Sequence, residues 1–217
     1  HTNFSLNMQD DSLSLAFPTG QVAQSMDLGS QYPDVSFLPA DTGPQYLTQP
    51  TPGAPNADPF EGVVAPIQFS SERGFYSASF QLELSTETPD AVIHYTIDGT
   101  EPTLDHGDVY QSPISIETTT TVRAAAFRDG YLSPAVQTHS YLFLEDVLHQ
   151  PTLRDDYPSS WARVPADYGM DPDVVGENNL FDDRYRNTVV QDLQTLPTLS
   201  LVFDPEDLFG QRGIYQN

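Results

Sequence analysis

The chain has 217 residues, with 31 acidic side chains against 8 basic ones, all of them arginine, for a net charge of -23. That length sets an expectation of one or two domains, and that charge argues against nucleic acid and anionic membrane surfaces, since few cations are present to displace counterions from phosphates. There is no cysteine, so a disulfide framework is excluded, and no apolar run reaches the ~18 residues of a membrane span.

Taken in order, the chain begins at His1 with neither an initiator methionine nor a signal peptide, which suggests a processed chain or an internal segment of a longer one. Residues 1–56 hold two strand-like pieces, Ser12–Phe17 and Val22–Leu28, followed by proline-rich text. Residues 50–66, PTPGAPNADPFEGVVAP, supply a semi-rigid spacer, because proline removes donors and favours extended backbone. The longest regular pattern runs from Gly74 to Leu144. Phe80, Leu82 and Leu84 alternate with polar residues, as do Ala91, Ile93, Tyr95 and Ile97. Ile114 and Ile116 continue the pattern, then Val122, Ala124 and Ala126, then Tyr141 and Phe143. Period-two alternation buries one face of a strand and wets the other. Breaks at Thr88-Pro89-Asp90, Asp98-Gly99, Ser112-Pro113 and Asp129-Gly130 carry the residues that tight turns need. Short strands so punctuated predict a small antiparallel sandwich.

Beyond Leu144 the composition shifts. EDVLHQ reads as a short helical turn, and residues 151–181 follow neither periodicity, as a functional or draped segment does. Residues 182–196 place Tyr185, Val189, Leu193 and Leu196 on one helical face. Asp182 and Asp183 suit the positive end of that helix, and Pro197 stops it. Thr198–Phe203 then reads as a buried strand.

Three stretches resemble known families. IHYTIDGTEPT, VYQSPISI, TTTTVRAAAFRDGYLSPAV and THSYLF, within residues 66–144, are similar to the C-terminal domain of chitobiases and β-hexosaminidases. That resemblance implies a fibronectin-III-like sandwich serving as an accessory module, with the glycosidase site elsewhere; fold analogy alone gives no activity. HTNF and TPGAPN resemble the second half of a bacterial lamin-tail domain, an immunoglobulin-like sandwich whose first half is missing from the pattern. DYGMDPDVV with LPTLSLVFDPEDLFG and GIY resembles the start of the spore-coat-protein-H (CotH) kinase family, whose nucleotide-binding and catalytic motifs would lie beyond Asn217. Modules in this order look like large surface proteins of bacteria such as planctomycetes.

Candidate chemistry is sparse. Asp98, Glu101, Asp105 and Asp108 surround one loop, and hard cations take several carboxylate oxygens, so Asp98, Asp105 and Asp108 are candidate calcium ligands. The alternative is a solvated loop after an Asp-Gly turn, since DGTEPTLDHGD lacks EF-hand order. Asp167, Asp171 and Asp173 form a second acidic cluster. Asp204, Glu206 and Asp207 form a third, which reads first as the cap of a short helical turn and second as a metal site. No histidine pair has zinc-helix spacing; His1 as a copper ligand would need a free amine and a partner histidine. There is no nucleophile elbow and no phosphate-binding loop. Tyr76, Tyr110, Tyr131 and Trp161 could stack on sugars or pack with a wet hydroxyl.

The sequence therefore predicts an all-β, immunoglobulin/fibronectin-III-like antiparallel sandwich with a partial second sandwich at the N-terminus and an irregular-plus-helix C-terminal segment. The expected divisions are 1–56 (lamin-tail-like), 57–65 (linker), 66–144 (central sandwich), 145–181 (connector) and 182–217 (CotH-like start). The expected role is a non-catalytic structural and interaction segment of a secreted, cell-surface protein. Its partners would be other domains of the same polypeptide, surface-protein subunits and glycans. The alternatives are the front of a CotH-like kinase and a carbohydrate-binding accessory module.

Overall fold

The alternating segments do form strands. The computed structural model describes residues 11–39, 43–56, 58–155, 157–161, 163–176, 181 and 183–214, without the side chains of Trp161 and Pro205. In chain order the first strands are β1 (Asp11–Ala16), β2 (Val22–Leu28), β3 (Ser36–Leu38), β4 (Gln45–Leu47) and β5 (Gly62–Val63). The central strands are β6 (Ile67–Phe69), β7 (Gly74–Phe75), β8 (Phe80–Leu82), β9 (Leu84–Thr86), β10 (Val92–Thr96), β11 (Asp108–Val109) and β12 (Ile114–Ile116). They continue with β13 (Thr120–Phe127), β14 (Tyr131–Leu132) and β15 (Gln137–Leu142). A short helix α1 (Leu144–Leu148) follows, then β16 (Ser160–Trp161), β17 (Val164–Pro165), α2 (Pro172–Val175), α3 (Val189–Thr195) and α4 (Pro205–Phe209). The chain divides into two compact units, residues 1–65 with 127–134, and residues 66–126 with 135–217.

In the first unit β1 and β2 pair antiparallel, with a register shift at Leu15/Ala16. The two predicted strands are thus one hairpin, and it leaves Leu15 and Phe17 more than half exposed. β3 pairs with β4, where Tyr46 and Leu47 are buried and Tyr46 meets Tyr32 and Phe37 edge-on. Residues 127–134 add β14, which pairs in parallel with β5 inside the proline-rich stretch. The Tyr131 ring packs against Gly62, so close that a Cβ there would overlap it.

The second unit is built on a five-stranded sheet in the order β11-β10-β13-β15-β7, in which β11–β10 and β13–β15 pair antiparallel and β15–β7 pairs in parallel. Two-stranded ribbons β6–β9 and β12–β8 accompany it. The all-β, mainly antiparallel sandwich expected from the alternation is what forms. Val122, Ala124 and Ala126 are fully buried on one face of β13, and Tyr141 is fully buried on β15 beside them. Leu82, Leu84, Ile93, Ile116 and Phe143 complete the core. Tyr76 and Phe80 stack at 4.5 Å, and both meet Tyr141 edge-on. The predicted turns hold as well: Asp90, Gly99 and Gly130 all take positive φ, where Gly costs nothing and Asp is tolerated.

Three expectations need correction. Ile97 does not share the buried face of Ile93; it is 57% exposed because β10 ends at Thr96 and the chain turns into the acidic loop. The predicted helix over 182–196 is shorter, α3 beginning at Val189 after a series of turns; Asp182 lies outside the described residues. Thr198–Phe203 is neither strand nor buried. It pairs with no described strand, and Leu199 is 81% exposed. The apolar alternation there is real, but the segment joins no sheet among the described residues.

Candidate functional site

The acidic loop between β10 and β11 is held from within. The Asp98 carboxylate accepts from the Thr100 amide at 3.0 Å and from the Thr100 hydroxyl at 2.5 Å. These bonds, led by the hydroxyl, hold Asp98 below the usual carboxylate range. Thr100 Oγ1 also lies 2.7 Å from His106 Nε2, and Thr96 Oγ1 donates to the Thr100 carbonyl at 2.6 Å. Pro102 is buried to the last few atoms, and Thr103 pairs with His106 across the loop. Gly107 takes a φ of +98°, and a Cβ there would sit 2.8 Å from the Tyr95 carbonyl oxygen, so the loop closes only around glycine. Outside it, Arg123 donates to the Gly99 carbonyl at 2.8 Å and lies 3.5 Å from Glu101. Asp98 is thus committed to its own turn. Asp98, Asp105 and Asp108 are not gathered: among the described residues no three acidic or histidine side chains are placed to hold one metal ion.

The other two acidic clusters also face backbone amides. Asp171 accepts from Asp173 N and caps α2, and Asp167 accepts from Gly169 N. Asp204 accepts from Glu206 N and caps α4. An aspartate that receives the orphan amides of a first turn stabilises it by about 1 kcal/mol. Asp171 and Asp204 thus each cap a short helix.

Of the aromatic candidates, Tyr76 belongs to the Phe80–Tyr141–Phe143 cluster, and its hydroxyl donates to the Glu72 carbonyl at 2.6 Å. Tyr131 lies under the Arg128 guanidinium, 4.1 Å from its ring centre. Tyr110 meets Tyr95 edge-on. These rings are engaged by the protein itself. His1 and the Trp161 side chain lie outside the described residues. His139 stacks on Phe69 at 3.9 Å, and its burial lowers its pKa. Burial likewise raises the Tyr141 phenol, whose hydroxyl donates to the Ser71 carbonyl at 3.0 Å.

The concave site of the second unit was not legible in the sequence. Residues 197–203 form a strap across the outer face of the five-stranded sheet. Ser200 Oγ sits 2.9 Å from Ser140 Oγ on β15, and Ser140 Oγ lies 3.1 Å from Thr121 Oγ1 on β13. At the other end a Cβ on Gly99 would come within 3.3 Å of the Phe203 carbonyl oxygen. The strap explains why Ser140, on the outward row of β15, is buried. Between the strap, β15 and the edge strand β7 runs an open groove of about 630 Å³, a size suited to a small ligand. Arg73, Phe75, Thr138, Ser140, Leu199 and Ser200 line it, and no acidic residue does. Ser140 and Ser200 are 60 positions apart, so no local spacing announces the groove.

Residues 71–138 match the family described as the chitobiase/beta-hexosaminidase C-terminal domain. That domain is a non-catalytic accessory module of β-sandwich type, as its resemblance to this segment implies. No curated protein and no solved structure matches the chain.

Proposed function

We propose that this chain is a non-catalytic structural and interaction segment of a secreted, multi-domain bacterial surface protein. The family match over residues 71–138 carries the proposal, because it assigns the central sandwich to an accessory module. The sequence resemblances add a lamin-tail-like module at 1–56 and a CotH-like start at 182–217. The parent protein then combines β-sandwich spacers with a CotH-like domain, and its partners are its own neighbouring domains and other surface subunits. The high negative charge keeps such a surface solvated. Intact source cells, treated with an external protease and probed with antibody against residues 66–144, test this. Loss of the epitope from unlysed cells is expected; an epitope protected until lysis would overturn surface placement.

A carbohydrate-binding role is the second reading, favoured by the hydroxyl-lined groove beside Phe75. Glycan-array binding by the whole chain tests it, and an array with no saturable binder would remove it.

A further inference from the structure

We propose that the groove between β7, the outer face of β15 and the 197–203 strap binds acidic oligosaccharides, with Arg73 engaging the carboxylate and Phe75 the face of a sugar ring. This rests on the carbohydrate reading and narrows it to a ligand class and a site. The charge pattern comes first. In a chain with 31 acidic residues, the groove lining contains none, and its one ionised side chain is Arg73. Glu72 precedes it but does not line the groove. Arg73 makes no ion pair and no hydrogen bond among the described residues. By contrast, Arg123 is held by Gly99 and Glu101, and Arg128 and Arg154 cover tyrosine rings. A guanidinium fork matches a carboxylate through two parallel bonds, which gives orientation as well as affinity.

The remaining lining suits a sugar. Phe69, Tyr76, Phe80, Tyr95 and Tyr141 each meet another ring. Half-buried Phe75 meets none among the described residues. As a residue of the groove lining, it can offer an electron-rich face to the polarised C–H bonds on one side of a pyranose. The Ser140–Ser200 hydroxyl pair and the Thr138 hydroxyl can each both donate and accept, the pairing that sugar hydroxyls require. The groove's volume accommodates about two sugar rings. An aspartate-rich peptide would use Arg73 and could bond the hydroxyls through its amides, but it has no flat C–H face to lay on the Phe75 ring.

Calorimetric titration of the full chain with trigalacturonate, its neutral methyl ester and a tri-aspartate peptide, at low ionic strength, tests the inference. Saturable binding of trigalacturonate is expected, weaker by at least about tenfold for the methyl ester and for Arg73→Gln, the size of one lost charge-assisted contact. Leu199→Asp, which adds a carboxylate at an exposed position of the lining, should weaken it comparably. Thermal melts of both variants, each at an exposed site, verify that the fold is intact. Equal affinity for the ester, or undiminished binding in both folded variants, would overturn the acidic-ligand assignment while leaving the carbohydrate reading standing. A peptide that binds as tightly as the sugar would also overturn it. Binding of no saccharide at all would remove both.

Discussion

Ile93 and Val92 are neighbours on β10 and face opposite ways, so one pair of truncations tests the architecture of the sandwich. Ile93 is 7% exposed and Val92 45% exposed. Ile93→Ala removes about three methylene equivalents, each contributing about 0.8 kcal/mol of burial, or roughly 2.4 kcal/mol. The cavity left behind raises this into the range of about 2–5 kcal/mol. For a chain of this size a loss of 1 kcal/mol lowers the melting midpoint by about 2–4 °C, so the burial term alone predicts a fall of about 5–10 °C. Val92→Ala removes two methyl groups from a side chain that is nearly half exposed and should cost about 1 kcal/mol or less. Calorimetric melts of the full chain, which separate the transitions of the two units if they unfold independently, supply the measurement. Equal shifts for the two variants would show that β10 does not present Ile93 to the core, and the assigned register of the sheet would fall with it.

Tyr141→Phe should cost about 0.5–1.5 kcal/mol by removing the hydroxyl bond to Ser71. It should also flatten the alkaline limb of stability: burial raises this phenol in the folded state, so its contribution is complete below pH ~10 and lost above it; an unchanged alkaline limb would contradict this. His139 runs the other way, because burial against Phe69 lowers its pKa. Stability should fall as pH drops below about 6.5, where the unfolded histidine takes up a proton first, and His139→Phe should remove that slope between pH 5 and 7. Salt should raise the melting midpoint by screening the -23 charge, with sodium and calcium equivalent at matched ionic strength. Calcium stabilisation that saturates, survives high sodium and vanishes in Asp98→Asn or Asp105→Asn would instead establish a metal site.

The elements legible in the sequence are those whose signal is local. Val122, Ala124 and Ala126 alternate because one face of β13 is core, and the structure buries all three. The Asp98-Gly99 and Asp129-Gly130 turns are readable because their glycines take positive φ. EDVLHQ reads as a turn of helix, and α1 (Leu144–Leu148) takes in its first four residues. The failures have the opposite character. Ile97 continues an alternating pattern past the point where Thr96 turns its hydroxyl to the Thr100 carbonyl, and nothing in the pattern marks that end. Tyr185 has helical spacing to Val189, yet the α-helix begins only at Val189. Spacing records which face could be buried; the available packing decides where regular hydrogen bonding starts.

The groove was hidden for a different reason. Its walls come from β7, β15 and the strap, segments separated by dozens of residues, and its hydroxyls look like ordinary strand serines and threonines in the sequence. Arg73 sits beside Glu72 and resembles one half of a surface pair; only the fold shows it lining a surface free of carboxylates. The misread segment was the one available hint. LPTLSLVF carries no charge in a strongly acidic chain, and its alternation is strand-like. In the structure Ser200 reaches the sheet through its hydroxyl, while Leu199 and Leu201 are largely exposed. A segment that meets a sheet through a side chain, without joining the hydrogen-bonded ladder, forms one wall of a groove and leaves the opposite wall to the edge strand. The segment that falsely reads as a buried strand is therefore the one that walls the concave surface.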